Sequence, residues 1–189
     1  SPDGKNIACV IGNDMYVMDR KGSSSSPREV VDRLTWHGDQ AGITCGLADY
    51  LAQEEMDRYE GFWWSPDSSL IAYTETNENN VPSYTIPHPG KADPKTKESH
   101  NYPFAGYENA KVQLAVLQAK GPPGTKAEDK RVLMDLTGSG ATPGDLDPHD
   151  YYLGRVGWWP DNSVMAQVEN RLQNRLQLLK LDTLTGART

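Results

Sequence analysis

Short apolar runs set between turn residues are the main pattern of this chain. Ile7 to Ile11 is one such run; Gly12-Asn13-Asp14 and then Met15 to Met18 follow it, which predicts a β-hairpin. The tetrapeptide ahead of it, Ser1-Pro2-Asp3-Gly4, places proline and glycine at the second and last positions of a β-turn, where each is favoured. The unit returns as Trp64-Ser65-Pro66-Asp67, leading into a strand over Leu70 to Thr74. It returns again as Trp159-Pro160-Asp161-Asn162, leading into Val164 to Val168 and Leu176 to Leu181, with a closing turn over Asp182 to Gly186. Between the last two copies, Val112, Leu114 and Val116 alternate with Lys111, Gln113 and Ala115, the period of a strand.

Turn, strand, turn, strand is therefore one unit used at least three times. With its aromatic and Gly/Asp punctuation it predicts an all-β chain, a partial β-propeller of about three blades. Three blades cannot close a ring, so the chain reads as part of a larger one. The copies are unevenly spaced: Pro2 to Pro66 is 64 residues and Pro66 to Pro160 is 94. A plain blade takes only about 40–50. Two insertions explain the excess, Pro82 to Tyr102 and Gly121 to Asp150, both rich in Pro, Gly, Lys, Asp and Thr. A two-sheet sandwich with long loops is the competing arrangement.

One stretch breaks the β pattern. Leu47 and Leu51 lie four apart, and Glu54 and Glu55 follow three and four residues beyond Leu51. A helix over Gly46 to Asp57 would put all four on one inward face. Two adjacent carboxylates on such a face are either solvated at a helix end or held there to meet a cation. A peptide α-amino group, with a pKa of about 8, is a suitable cation at neutral pH. Its three N–H donors can be shared between two carboxylates. Arg58 could orient one of the glutamates or reach a substrate carbonyl, although an ion pair with Asp57, Glu54 or Glu60 is the plainer expectation.

Composition narrows the partners. The net charge is −7 over 189 residues, and no basic stripe is present to suggest nucleic acid. No apolar run approaches the roughly 20 residues of a membrane span. Cys9 and Cys45 are far apart; Cys9 sits in an apolar run and is expected to be a buried free thiol. The low cysteine content and the missing Asn-x-Ser/Thr acceptor lean towards a cytoplasmic protein. Ser1 enters a turn directly and Thr189 follows one, so the chain reads as a piece of a longer protein.

Other chemistry is sparse. His37, His88, His100 and His149 are scattered through turn-rich segments with no ligand-spaced partner and read as surface histidines. Asp145, Asp147 and Asp150 lack the glycine and glutamate of a calcium loop. Gly138-Ser139-Gly140 is loop material rather than a nucleophile elbow, and no phosphate-binding glycine motif occurs. Trp63-Trp64 and Trp158-Trp159 read as packing residues at strand starts. No cofactor or metal is implied.

Taken together, Gly42-Ile43-Thr44, Gly46 to Tyr50, Glu54-Glu55 and Trp63-Trp64-Ser65-Pro66-Asp67 resemble the propeller domain of the dipeptidyl peptidase IV family. Asn80-Val81-Pro82, Tyr102-Pro103-Phe104-Ala105-Gly106, Asn109-Ala110-Lys111-Val112 and Val156-Gly157-Trp158-Trp159 continue the resemblance in order, over nearly the whole chain, residues 1–189. It implies a serine exopeptidase of the prolyl oligopeptidase clan that cleaves X-Pro or X-Ala dipeptides from peptide N-termini. It also implies an eight-bladed propeller covering a C-terminal α/β-hydrolase domain, absent here, that carries the Ser, Asp and His. The double glutamate of that family captures the substrate amino terminus from a short helical insertion, and its positions match Glu54 and Glu55. The segment matching Val81 to Pro103 is an arm with homodimer contacts. Met56-Asp57-Arg58-Tyr59 is closer to the intracellular and microbial branches. A non-catalytic propeller scaffold for protein partners is the alternative.

Overall fold

The computed structural model describes residues 1–20, 31–93, 95–120, 126–138 and 145–189. Their regular secondary structure is almost entirely antiparallel β. Strands β1 (Asn6–Ile11), β2 (Asp14–Asp19) and β3 (Val31–Arg33) form a first sheet in that order. The second contains β4 (Ile43–Cys45), β5 (Phe62–Trp64), β6 (Leu70–Asn77), β9 (Lys111–Gln118) and β10 (Val132–Leu133). Strands β7 (Ser83–Pro87) and β8 (Lys97–Asn101) make a separate, mostly exposed ribbon between β6 and β9. The third sheet is β11 (Tyr151–Trp158), β12 (Val164–Asn170) and β13 (Leu176–Leu181), again in sequence order. A five-residue helix, α1 (Tyr50–Glu54), lies between β4 and β5.

The first hairpin forms where expected, with Ile11 opposite Asp14 across the turn. The strands over Leu70, Lys111, Val164 and Leu176 also form, each at or slightly beyond its expected bounds. The segment Pro82 to Tyr102, irregular in its sequence, contains the β7–β8 ribbon. Of the Gly121 to Asp150 insertion, residues 126–138 and 145–150 are described; Ser139 and Gly140 lie outside the described residues.

The second sheet is buried on both faces, which explains its composition. Ile71 and Tyr73 of β6, with Ala115 and Leu117 of β9, pack on Met15, Val17 and Leu34 from the first sheet side. Ala72, Leu114 and Val116 face the other way, onto Leu153, Val164, Ala166 and Val168 of the third sheet. A sheet covered on both sides reads as a nearly continuous apolar run rather than an alternation. Counting only Val112, Leu114 and Val116 as inward therefore recovers one face of β9; Ala115 and Leu117 are just as buried. Trp64 packs against the first core, and Trp63 and Trp158 against the second, while Trp159 is 40% exposed. Both cysteines are free thiols, but Cys9 is half-buried rather than buried, because its neighbours Ala8 and Val10 take the core-facing side of β1; Cys45 is fully buried.

The three Pro-Asp turns are equivalent in detail. Gly4, Ser68 and Asn162 occupy the same place in each copy, and all take left-handed backbone, with φ of 69°, 64° and 61°. In each turn one aspartate oxygen accepts the N–H of the residue two positions on, and the hydroxyl donors differ between copies. Asp3 takes Ser1 Oγ and the Lys5 N–H, Asp67 takes Ser65 Oγ and the Ser69 N–H, and Asp161 takes the Ser163 N–H and Oγ. The turns also touch. The Asp3 N–H donates to Ser68 Oγ at 3.1 Å, and Asn162 Nδ2 donates to Asp67 Oδ2 at 2.7 Å. Successive repeats thus present the same corner side by side.

Candidate functional site

Strands β4 and β5 pair with one and the same strand. Ile43, Thr44 and Cys45 face Asn77, Thr76 and Glu75 of β6, and Phe62, Trp63 and Trp64 face Tyr73, Ala72 and Ile71. They are two halves of a single edge strand, interrupted by residues 46–61. Thr74, fully buried between the halves, fastens the root of this insertion. Its N–H donates to Gly61 O at 2.8 Å, its Oγ1 to Leu47 O at 2.9 Å, and its carbonyl accepts the Gly46 N–H at 2.8 Å. Leu47 and Glu60 form an antiparallel bridge across the same root. Here glycine is required: a Cβ on Gly61 would lie 2.4 Å from backbone atoms of Gly46 and Leu47.

The helix within the insertion is shorter than the pattern suggested, Tyr50–Glu54 rather than Gly46 to Asp57. Leu47 belongs to the bridge and is exposed, and the residue the helix buries is Ala52. Asp57, with φ of 50°, turns the chain back, and the Arg58 N–H donates to Ala52 O at 2.9 Å. Glu54 and Glu55, at the helix end, are both exposed, which corrects the inward face expected for them. Among the described residues neither carboxylate has a hydrogen-bond or ion-pair partner. Their charges nevertheless reach Tyr50, whose phenol is raised above its ordinary pKa mainly by desolvation and secondarily by Tyr102 and these glutamates.

Arg58 does something other than orient the glutamates. It is 5% exposed and donates to Glu60 O at 2.9 Å and to Leu153 O of β11 at 3.2 Å. Its acidic partner is Asp49, at 3.5 Å, rather than Asp57, Glu54 or Glu60. Burial pushes the Asp49 carboxyl up and the Arg58 guanidinium down, each opposed by the other's charge. Arg58 is thus committed to bracing the insertion against the third sheet, over the Trp63 ring. Beside it, Asp57, Arg58, Tyr59, Glu60, Trp63, Arg155 and Val156 line a hollow of about 300 Å³. A larger one, about 420 Å³, lies among Tyr107, Glu108, Lys111, His149, Asp150 and Arg171. Neither is lined by Glu54 or Glu55.

The other side of α1 leans on the ribbon. Tyr50 packs at a tilt against Tyr102 with ring centroids 5.1 Å apart, and Tyr102 likewise against Phe104 at 4.7 Å. Tyr84 of β7 closes on Phe104 at 5.9 Å. Asn101 Nδ2 donates to Glu78 Oε2 at 3.0 Å and the Tyr102 N–H to Pro82 O at 2.8 Å, fixing the ribbon's base. The carboxylate pair therefore stands on a short helix held at its root, on its flank by Arg58, and on its far side by an aromatic cluster.

The family model described as the dipeptidyl peptidase IV (DPP IV) N-terminal region matches residues 1–189, and the chain belongs to that family. Dipeptidyl peptidase 4 of Felis catus is 32% identical over 178 residues, covering 92% of this chain and 21% of that protein. Inactive dipeptidyl peptidase 10 of Rattus norvegicus is 30% identical, covering 97% of this chain and 21% of that protein. The chain therefore spans about a fifth of the length of these relatives. The crystal structure of Porphyromonas gingivalis dipeptidyl peptidase 4 superposes with a TM-score of 0.76 at 22% identity, over 100% of this chain and 24% of that one. That likeness places the fold in the propeller region.

Proposed function

We propose that this chain is the substrate-gating part of the propeller of a serine dipeptidyl peptidase, and that Glu54 and Glu55 bind the substrate's α-ammonium. The observation that carries this reading is the pair itself: adjacent, exposed carboxylates without a partner among the described residues, on a helix braced from three sides. A salt-bridged or freely swinging pair would have little charge or position left to offer a ligand. Held at a fixed distance from a nucleophile, two carboxylates on an ammonium leave room for a set number of residues before the scissile bond. That is how such a site counts two residues before the cut, the length of an Xaa-Pro or Xaa-Ala dipeptide. The three sheets stand as about three blades of an eight-bladed ring. The Ser, Asp and His belong to an α/β-hydrolase domain outside this chain, so residues 1–189 alone hydrolyse nothing.

The experiment is a steady-state comparison on Xaa-Pro amides with the full-length protein. Glu54→Ala and Glu55→Ala should each lower kcat/KM by roughly 10- to 150-fold, the equivalent of about 1.5–3 kcal/mol for a charge-assisted contact. Acetylating the substrate's amino group should erase the difference. Wild-type kcat/KM in both variants on free-amine substrates would refute the role.

The relative named as inactive supports a second reading, a non-catalytic propeller that binds protein partners. The residues following Thr189 separate the two, since a Gly-x-Ser-x-Gly elbow followed by Asp and His belongs to the enzyme alone. Under either reading, the Val81 to Pro103 arm is the homodimer contact. The ribbon's exposed Tyr84 and the neighbouring Tyr102 and Phe104 support this assignment, as apolar surface that a partner would cover. Deleting residues 83–100 from the full-length protein should halve its mass in light scattering; an unchanged dimer rejects the arm.

A further inference from the structure

Away from the insertion, three side chains with metal-binding atoms converge. His37 lies in the turn after β3, Glu75 in β6, and Glu128 in the turn between β9 and β10. One donor atom from each lies within 4.8 Å of the others. His37 Nδ1 is 2.7 Å from Glu75 Oε2 and 3.7 Å from Glu128 Oε1.

Glu128 is the informative member. It is 5% exposed, and its Oε2 accepts the Trp36 N–H at 2.8 Å. Its Oε1, buried and aimed at the imidazole, has no hydrogen-bond partner. An unsatisfied carboxylate oxygen out of water is costly, so something is expected to meet it. The imidazole cannot do so as it stands. One N–H points along one direction, and at 2.7 Å it is given to Glu75. Arg131 approaches Glu75 at 3.9 Å, beyond hydrogen-bond range.

We propose that His37, Glu75 and Glu128 bind a divalent transition cation of the zinc class, with water in the fourth position. One imidazole nitrogen and two carboxylate oxygens are a borderline donor set suited to zinc, and too few oxygens for calcium. Donors about 2.0–2.2 Å from a tetrahedral ion stand roughly 3.4 Å from one another, within the range of separations seen here. A doubly charged ion balances the two carboxylates and supplies Oε1 of Glu128 with the positive partner it lacks. Its role is structural. It ties the connection leaving the first sheet to two elements of the second, where Met15, Val17 and Leu34 pack against Ile71 and Tyr73.

The test uses the full-length protein, stripped with a chelator, equilibrated with Zn²⁺ and desalted. Elemental analysis of wild type should give one more zinc per chain than His37→Ala or Glu128→Gln, whatever other sites the protein has. Zn²⁺ should raise the Tm of the stripped wild type and leave both variants unmoved. Loading with Co²⁺ should give visible absorption bands that His37→Ala lacks. Equal zinc content in wild type and in natively folded variants, checked by circular dichroism, overturns the site. So does a wild type that takes up no zinc and shows no shift in Tm. If Glu128→Gln fails to fold, His37→Ala decides alone.

Discussion

In each Pro-Asp turn, the aspartate's Oδ1 takes its donors from within two residues: Ser1 and Lys5 for Asp3, Ser65 and Ser69 for Asp67, Ser163 for Asp161. The insertion over residues 46–61 is held differently. Its charged brace, Arg58, ends on the carbonyl of Leu153, 95 residues away, and its root closes on Thr74. The turns are built by their own sequence, and the insertion by the sheets around it. That difference decides what a mutation does in each place, and also what could be read before the structure was known.

The largest effect should come from Arg58→Leu. Removing the guanidinium leaves Asp49 buried beside an apolar side chain, a loss of about 3–5 kcal/mol for breaking a buried pair. Chemical denaturation of the full-length protein measures it, and the double variant with Asp49→Leu should recover part of the loss. A loss below about 1 kcal/mol would place the insertion in the same class as the turns. Gly61→Ala comes next, at about 1–3 kcal/mol, because the new methyl meets backbone rather than a movable side chain. Gly12→Ala is its control: nothing lies within 4 Å of that Cβ, and only the positive φ of 63° resists, at about 1 kcal/mol. If the two cost the same, the closed root is not what holds the insertion.

The smallest effect concerns acid. Hydrogen bonds from Ser65 and Ser69 hold the Asp67 carboxyl down at about 2. A lowered carboxylate supports the fold above its ordinary value of 3.8, and that support fades as the pH falls towards 2. Asp49, raised by burial, acts with the opposite sign: its contribution is present in acid and lost as pH rises through its raised value. Asp67→Asn should therefore lose that small support near neutrality and flatten the stability profile below about pH 4, so that variant and wild type converge as the pH approaches 2. An unchanged acid limb would show that the turn's hydrogen bonds do not favour the charged form. Because Asp67 is exposed, the change should be a small fraction of the Arg58 effect.

The same contrast sets how much was legible. Pro-Asp followed by a small or polar residue specifies a turn through short-range hydrogen bonds, so the three repeats and the strands after them are readable directly. The apolar run from Leu70 to Thr74 is readable as a strand but not as a two-faced one, because burial on both sides removes the alternation that would assign faces. Glu54 and Glu55 stand out as adjacent charges, yet their exposure depends on where the helix stops. That is set by Asp57 and by Arg58 turning inward to Leu153. The partner of Arg58 was missed for a related reason: Asp49 sits nine residues away, outside the spacings that a helix brings together. His37 is the clearest loss. Nothing near it in sequence is a ligand, and Glu75 and Glu128 reach it only through the stacking of two sheets.

Strand β6 accepts β4 and β5 end to end, with Thr74 alone between their registers. The blade's alignment is consequently written on a strand that the insertion never enters. Residues 46–61 form a detour whose length is independent of the sheet, as a sidetrack leaves the main line in place. Lengthening the loop ahead of Asp57, or trimming it, should change how far the carboxylates stand from the sheet while β4 and β5 keep their pairing with β6. For protein engineering this is a ready splice point: a different segment could be seated between Gly46 and Gly61, provided both glycines, Thr74 and the Asp49–Arg58 pair are kept.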